Sequence, residues 1–159
     1  MPSGIEAIGV VIPARDQAET IAQCILSIFA ANSYIGWRTS LWIVVVADAC
    51  RDKTVKVARD TVGAFGEVLE VAAQPGGRAR GIGTSTVLEH FHHKPRHAIL
   101  LTNTDAGTCV RRDWIDIQLK RQRTYVRAAD AMCGSPSSFV ATCSSREGYA
   151  RAYLRQCSK

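Results

Sequence analysis

The chain has no apolar run long enough to cross a bilayer as a helix. Its longest, Leu41 to Ala47, falls far short of the ~20 residues such a span needs. Met1-Pro2-Ser3-Gly4-Ile5-Glu6 lacks a basic n-region, so a secretory leader is not expected and the expected location is cytoplasmic. No C-x-x-C pair occurs among Cys24, Cys50, Cys109, Cys133, Cys143 and Cys157, which leaves a structural zinc site little support. Without an export signal, reduced thiols are expected rather than disulfides. Gly81-x-Gly83 lacks the third glycine of a dinucleotide fingerprint. No nucleic-acid-binding motif, internal repeat or low-complexity stretch stands out. What remains is a chain of 159 residues, 47% apolar and 21% charged, ordinary for one globular domain with a core of its own.

Charge is unevenly spread. Residues 1–110 hold ten Lys/Arg against ten Asp/Glu, whereas residues 111–159 hold ten against four, so the whole net charge of +6 comes from the second segment. A solvated helix face followed by a basic tail accounts for it; peripheral contact with an anionic membrane is the alternative. No nucleic-acid partner is expected.

Strand and helix patterns alternate. Ile8 to Ile12 is a short β-branched run stopped by Pro13, and Asp16 to Ala31 carries Ile21, Cys24, Ile25, Ile28 and Phe29 at helical spacing, ended by Asn32-Ser33 and Gly36. Leu41 to Ala47 is continuously apolar, as in a strand covered on both faces. A helix capped by Asp52 or Thr54 runs to about Val62, and Val68 to Ala72 is a third strand. Gln74-Pro75-Gly76-Gly77 is a turn, Arg80 to Phe91 a helix, and Ala98 to Thr102 a fourth strand. Trp114, Ile115, Leu119, Gln122 and Val126 share one face of a last helix. The histidines at 90, 92, 93 and 97 read as a solvated helix C-terminus, because Lys94 and Arg96 beside them would repel a metal. Repeated βα units predict an α/β, Rossmann-like fold with a mostly parallel sheet, whose ligands bind outside the carboxyl ends of the strands.

Three such ends are polar: Pro13-Ala14-Arg15-Asp16, Asp48-Ala49-Cys50-Arg51-Asp52-Lys53-Thr54, and Asn103-Thr104-Asp105-Ala106-Gly107-Thr108. Val10 to Asp16 is similar to the start of the family 2 glycosyltransferases, a strand followed by Pro-x-x-Asn-Glu. Val44 to Thr54 resembles the family's strand plus Asp-x-Ser-x-Asp-x-Thr, with Cys50 at the Ser position. Gly77 to Gly83 resembles its Ala-Arg-Asn-x-Gly helix start, with Gly81 at the Asn position. Leu100 to Ile115 resembles the segment that holds Asp-x-Asp and ends in Asp-Trp-Ile/Leu. Order and spacing agree over about residues 8–134.

The resemblance implies a GT-A fold that binds a nucleoside diphosphate sugar, uridine-linked, and transfers the sugar to an acceptor with inversion. It divides the chain into a nucleotide-sugar-binding domain over 1–134 and a basic tail, or remnant of the acceptor half, over 135–159. By the same resemblance Pro13 and Arg15 line the base and ribose, Asp48 accepts from the base N–H, and Arg80 lies near the base or phosphates. Asp105 lies near the ribose or a divalent cation, Mn or Mg. Gly107 stands where the family has its second, metal-binding Asp, and Asn103-Thr104-Asp105 offers an alternative oxygen pair out of register. Past residue 134 the only acid is Glu147, which does not match the family's base, so no catalytic residue is assigned. A non-catalytic nucleotide-binding remnant, or an interaction module, that lacks the metal-binding Asp and the catalytic base is the competing expectation.

Overall fold

The computed structural model describes residues 4–72 and 77–122. Over them strands and helices alternate: β1 (Ala7–Ala14), α1 (Ile21–Tyr34), β2 (Ser40–Asp48), α2 (Thr54–Val62), β3 (Gly66–Val71), α3 (Arg78–His90) and β4 (Ile99–Asn103). A further helix, α4, starts at 114 and is helical through 122. The four strands form one sheet in the order β3-β2-β1-β4, and every pairing is parallel. The α/β, Rossmann-like expectation therefore holds at the level of layers and strand direction. The boundary at 134, the tail 135–159, Val126 and Glu147 lie outside the described residues.

Continuous apolar patterning in β1 and β2 reflects two separate cores, one on each face of the sheet. Ile8, Val10, Ile12, Ile43 and Val45 pack with Ile21, Cys24, Ile25 and Ile28 of α1, Ala58 and Val62 of α2, and Ile115 of α4. Ala7, Val11, Val44 and Val46 turn the other way and meet Ala79 and Val87 of α3 and Phe91 just after it. This second core is thin, and glycine makes it so. A Cβ on Gly83 would overlap Val11 Cγ1, and one on Gly9 would overlap Val87 Cγ1. The bare backbone lets α3 lie close against the two central strands.

Strand order also creates a crevice. The connections β1–α1–β2 and β2–α2–β3 build the sheet to one side, and β3–α3–β4 then crosses β2 and β1 to place β4 on the other. The reversal falls between β1 and β4, where the flanking helices diverge and ligands of open α/β sheets settle.

Two sequence-based boundaries moved for instructive reasons. β1 runs through Pro13 instead of stopping there. Its pairing with β4 ends at Val11↔Asn103, and the Val11 carbonyl, which accepts from the Thr104 amide at 3.1 Å, points to the β4 side. Pro13, two residues on, has the same orientation, so its missing N–H faces the side where β4 has ended and costs no ladder bond. Helix α1 begins at Ile21 and not at Asp16. Asp16 has φ +50° and the Gln17 carbonyl closes a turn onto Thr20 and Ile21, so residues 16–20 form a loop that the apolar spacing could not distinguish from a first helical turn.

Candidate ligand site at the carboxyl edge of the sheet

All five residues singled out in the sequence lie at or beside the carboxyl ends of strands. Pro13 is half-buried near the end of β1, opposite Val46, and Arg15 follows that strand. Asp48 is the last residue of β2, Arg80 lies in the first turn of α3, and Asp105 lies in the loop after β4. Four of them are joined in pairs. Arg15 Nη2 donates to Asp48 Oδ2 at 2.9 Å while its Nε donates to the Asp48 carbonyl at 3.1 Å. Arg80 Nη2 donates to Asp105 Oδ1 at 2.7 Å.

The pairs differ in setting. The Asp48 side chain is only 15% exposed, so its carboxylate is held in one place by Arg15 at the mouth of β2. Asp105 is 64% exposed and Arg80 46%, so their ion pair stands in water, where such a contact is weak and readily exchanged. The loop carrying Asp105 is itself anchored, because its carbonyl accepts from the Cys24 thiol at 3.5 Å. Asn103 is the last residue of β4 and by strand alternation shares the α3 face with Leu101. Its Oδ1 is buried without a hydrogen-bond partner. A buried acceptor left in that state is costly, and a ligand N–H or hydroxyl at this edge would satisfy it. The sequence placed Asn103 in a polar loop; its burial could be known only once the strand's end was fixed.

Asp16 and Asp52 do work that the motifs did not reveal. Asp16 Oδ1 accepts from the backbone amides of Arg51 at 2.6 Å and Asp52 at 3.3 Å. Asp52 Oδ2 accepts from the Ala18 amide at 3.0 Å, and its Oδ1 from the Thr54 amide at 2.9 Å and from the Thr54 hydroxyl. Thr54 Oγ1 in turn accepts from the Gln17 amide at 2.7 Å. The loops after β1 and β2 are thus clasped together by reciprocal side-chain-to-backbone bonds. Asp52 caps α2 as the sequence suggested, from one position further out, and also crosses to the neighbouring loop. The hydrogen bond from the Thr54 side chain, foremost, holds the Asp52 carboxyl below its ordinary value.

Asp16, Cys50 and Asp52 bring their ligand atoms within 4.8 Å of one another, a spacing that could hold a metal ion. The donor set argues for the clasp instead. Three of the four carboxylate oxygens already accept hydrogen bonds, and the Cys50 thiol donates to the Ala14 carbonyl at 3.4 Å. The divalent cation expected at Asp105 fares no better. One of its oxygens holds a guanidinium, and Gly107 supplies no second carboxylate. Space is not the obstacle, since a Cβ at 107 would meet only Gln17 Oε1 at 3.7 Å. The residues at this edge therefore do not fit a resident divalent cation.

His90, His92, His93 and His97 are all exposed around the end of α3, as a solvated helix C-terminus requires, and His90 in addition packs on a neighbouring ring. His90 stacks on Trp42 of β2, with ring centroids 3.7 Å apart and planes 6° from parallel, and Trp42 Nε1 donates to Glu67 Oε1 at 3.3 Å. Partial desolvation against this surface lowers the His90 pKa, only partly offset by Glu67. A shallow cavity of about 480 Å³ lined by Glu67 of β3, Thr86, Glu89 and His90 of α3, and His92 lies there, away from the Arg–Asp pairs.

No protein-family model matches the chain, and no curated protein matches it. Among the described residues, no helix is long and apolar enough to cross a membrane.

Proposed function

We propose that the chain is a glycosyltransferase-like domain of GT-A type that binds a uridine-linked nucleoside diphosphate sugar across the ends of β2, β1 and β4. One observation carries this reading: two Arg–Asp pairs stand at the carboxyl edge of the sheet, one at the ends of β1 and β2 and one beside β4, and each pair joins two of the ordered motifs. A half-buried carboxylate already oriented by an arginine suits a ring N–H of a base at Asp48, with Pro13 and Arg15 as the adjoining wall. Arg80, in the first turn of α3, supplies a positive charge for the diphosphate, and the Asn103 Oδ1, at the end of β4, is a buried acceptor without a hydrogen-bond partner. In transfer, stabilising the departing diphosphate would be the part these residues perform. The base that an inverting reaction needs is not among the groups assigned here.

A second reading, a binding module that does not transfer sugar, is favoured by Gly107 alone among the site positions. Calorimetric titration of the full chain with uridine and adenosine diphosphates tests the nucleotide assignment. Preferential uridine binding, lost in Asp48→Ala with the unfolding midpoint nearly unchanged, is the expected result. Equal or absent binding of both nucleotides would remove the proposal. Where binding is found, release of diphosphate from uridine-linked sugars over a panel of acceptors separates transfer from the module reading.

A further inference from the structure

We infer that this site neutralises a diphosphate with Arg80 in place of a divalent cation, and that Asp105 acts as the latch holding Arg80 until the ligand arrives. The inference rests on the nucleotide reading above and deepens it. For a metal to bridge a diphosphate near Asp105, the protein would have to supply a second carboxylate beside the first. Position 107 is glycine, and the Asp105 Oδ1 already accepts from Arg80 at 2.7 Å. The other carboxylates with metal-like spacing, Asp16 and Asp52, are committed to backbone amides of the clasp.

Arg80 has what the replacement requires. It sits in the first turn of α3, a helix of 13 residues with no acid in that turn and with Arg78 also present there. Cations at a helix N-terminus oppose the helix dipole, so the arrangement does not serve helix stability. It does concentrate positive charge toward the crevice, where a guanidinium can take two phosphate oxygens at once. The partner it must leave is an exposed carboxylate. Exchanging one exposed anion for a doubly charged one is downhill, because the Arg80–Asp105 contact is held by one hydrogen bond between groups that are 46% and 64% exposed. Once released, the Asp105 carboxylate is repelled by the phosphates and is free to meet a ribose hydroxyl.

The experiment uses the full chain and two probes, uridine diphosphate and inorganic pyrophosphate, titrated with a chelator present and again with manganese. Circular dichroism on each variant confirms that the fold is kept, as the exposure of both side chains leads one to expect. Binding unaffected by chelator is expected, with Arg80→Ala weakening both probes by roughly ten- to a hundredfold, the range for a hydrogen bond to a charged group. Arg80→Lys should recover part of the loss by restoring charge without the fork. Asp105→Asn is the decisive variant. As a latch its removal tightens pyrophosphate by up to about fivefold, the upper end of an exposed ion pair. As a metal ligand its removal would weaken both probes. Binding that needs manganese and disappears in Asp105→Asn would overturn the inference while leaving the nucleotide proposal intact. Chelator-insensitive pyrophosphate binding through Arg80 without uridine preference would keep the inference and sink the nucleotide proposal. Absence of binding by either probe would remove both.

Discussion

Cys24 shows how completely a single side chain can change character on folding. In the sequence it is one of six cysteines and an ordinary member of an apolar helical stripe. In the structure it is fully buried among Ile21, Ile25 and Ile28, and its thiol points to the Asp105 carbonyl. Burial, and after it the proximity of Cys109 and Asp105, pushes its pKa from 9.0 up to about 12. The thiolate is the reactive form, so Cys24 is protected twice, by access and by protonation. At pH 8 a thiol alkylator should modify the exposed Cys109 in the native protein and reach Cys24 only after denaturant is added. Peptide mass mapping reads this directly, and equal rates at both positions under native conditions would contradict the packing of α1. Gly107 belongs to the same scale. Because a Cβ there meets only ordinary contact, Gly107→Asp should fold normally. It should also make diphosphate binding rise with manganese, by supplying the carboxylate that is now lacking. No metal-dependent gain would show that Asp105 and residue 107 do not converge on one ion.

At the scale of elements, the helix that sets the site is α3. It carries Arg80 and is held against β1 by Gly83, which has no room for a side chain, while Gly81, two residues earlier, faces open space. The two glycines look alike in the sequence, and either one costs helix propensity. Their environments separate them. Gly81→Ala should raise stability by about 0.5–1 kcal/mol through reduced backbone entropy. Gly83→Ala should lower it by about 1–3 kcal/mol, because the added methyl overpacks the interface with Val11. Denaturant midpoints of the two variants provide the check, and movement in the same direction would mean that α3 lies further from the sheet. The clasp between the loops after β1 and β2 has a similar lesson. Asp52 was legible as a helix cap, a local role set by its distance from Thr54. Its bond to Ala18 and the parallel role of Asp16 were not, since they join positions more than thirty residues apart.

At the scale of the whole molecule, the shifted groups define a pH window for stability. His90 has a pKa below 6.5 when folded, so the unfolded chain binds more protons there and stability falls as pH drops from 6.5 through the folded value. Asp52, depressed below 3.8, holds its contribution above that value and loses it at still lower pH as the clasp protonates. Cys24 works at the other end: the unfolded thiol ionises near 9.0 while the folded one stays protonated to about 12, so stability declines as pH rises across that interval. Urea midpoints against pH should therefore be flattest between about 6.5 and 9, with a shallow acid limb and a steeper alkaline one. Cys24→Ala lowers stability throughout, yet should flatten the alkaline limb; an unchanged alkaline slope would assign it to other groups.

The chain's own order of residues decided that the protein is built from alternating strands and helices, that β1 and β2 are covered on both faces, and where polar residues interrupt the apolar runs. These are local properties. A β-branched run, a helical stripe and a turn each express themselves over a few residues, whereas the ends of β1, β3 and β4 fell one or two residues from where the sequence pattern put them. Sequence order could also say that Arg15, Asp48, Arg80 and Asp105 belong to strand or helix ends. It could not say that Arg15 would face Asp48, Arg80 would face Asp105, or His90 would lie flat on Trp42. Those partners are 33, 25 and 48 positions apart and meet only because β1 lies between β2 and β4 while α3 crosses over it. Nor could it say that three carboxylate oxygens at the sheet's edge would be taken by backbone amides. Hydrogen-bond capacity is spent in three dimensions, and whether an aspartate remains to bind a ligand, a metal or a loop is settled by what the fold brings within 3 Å of it.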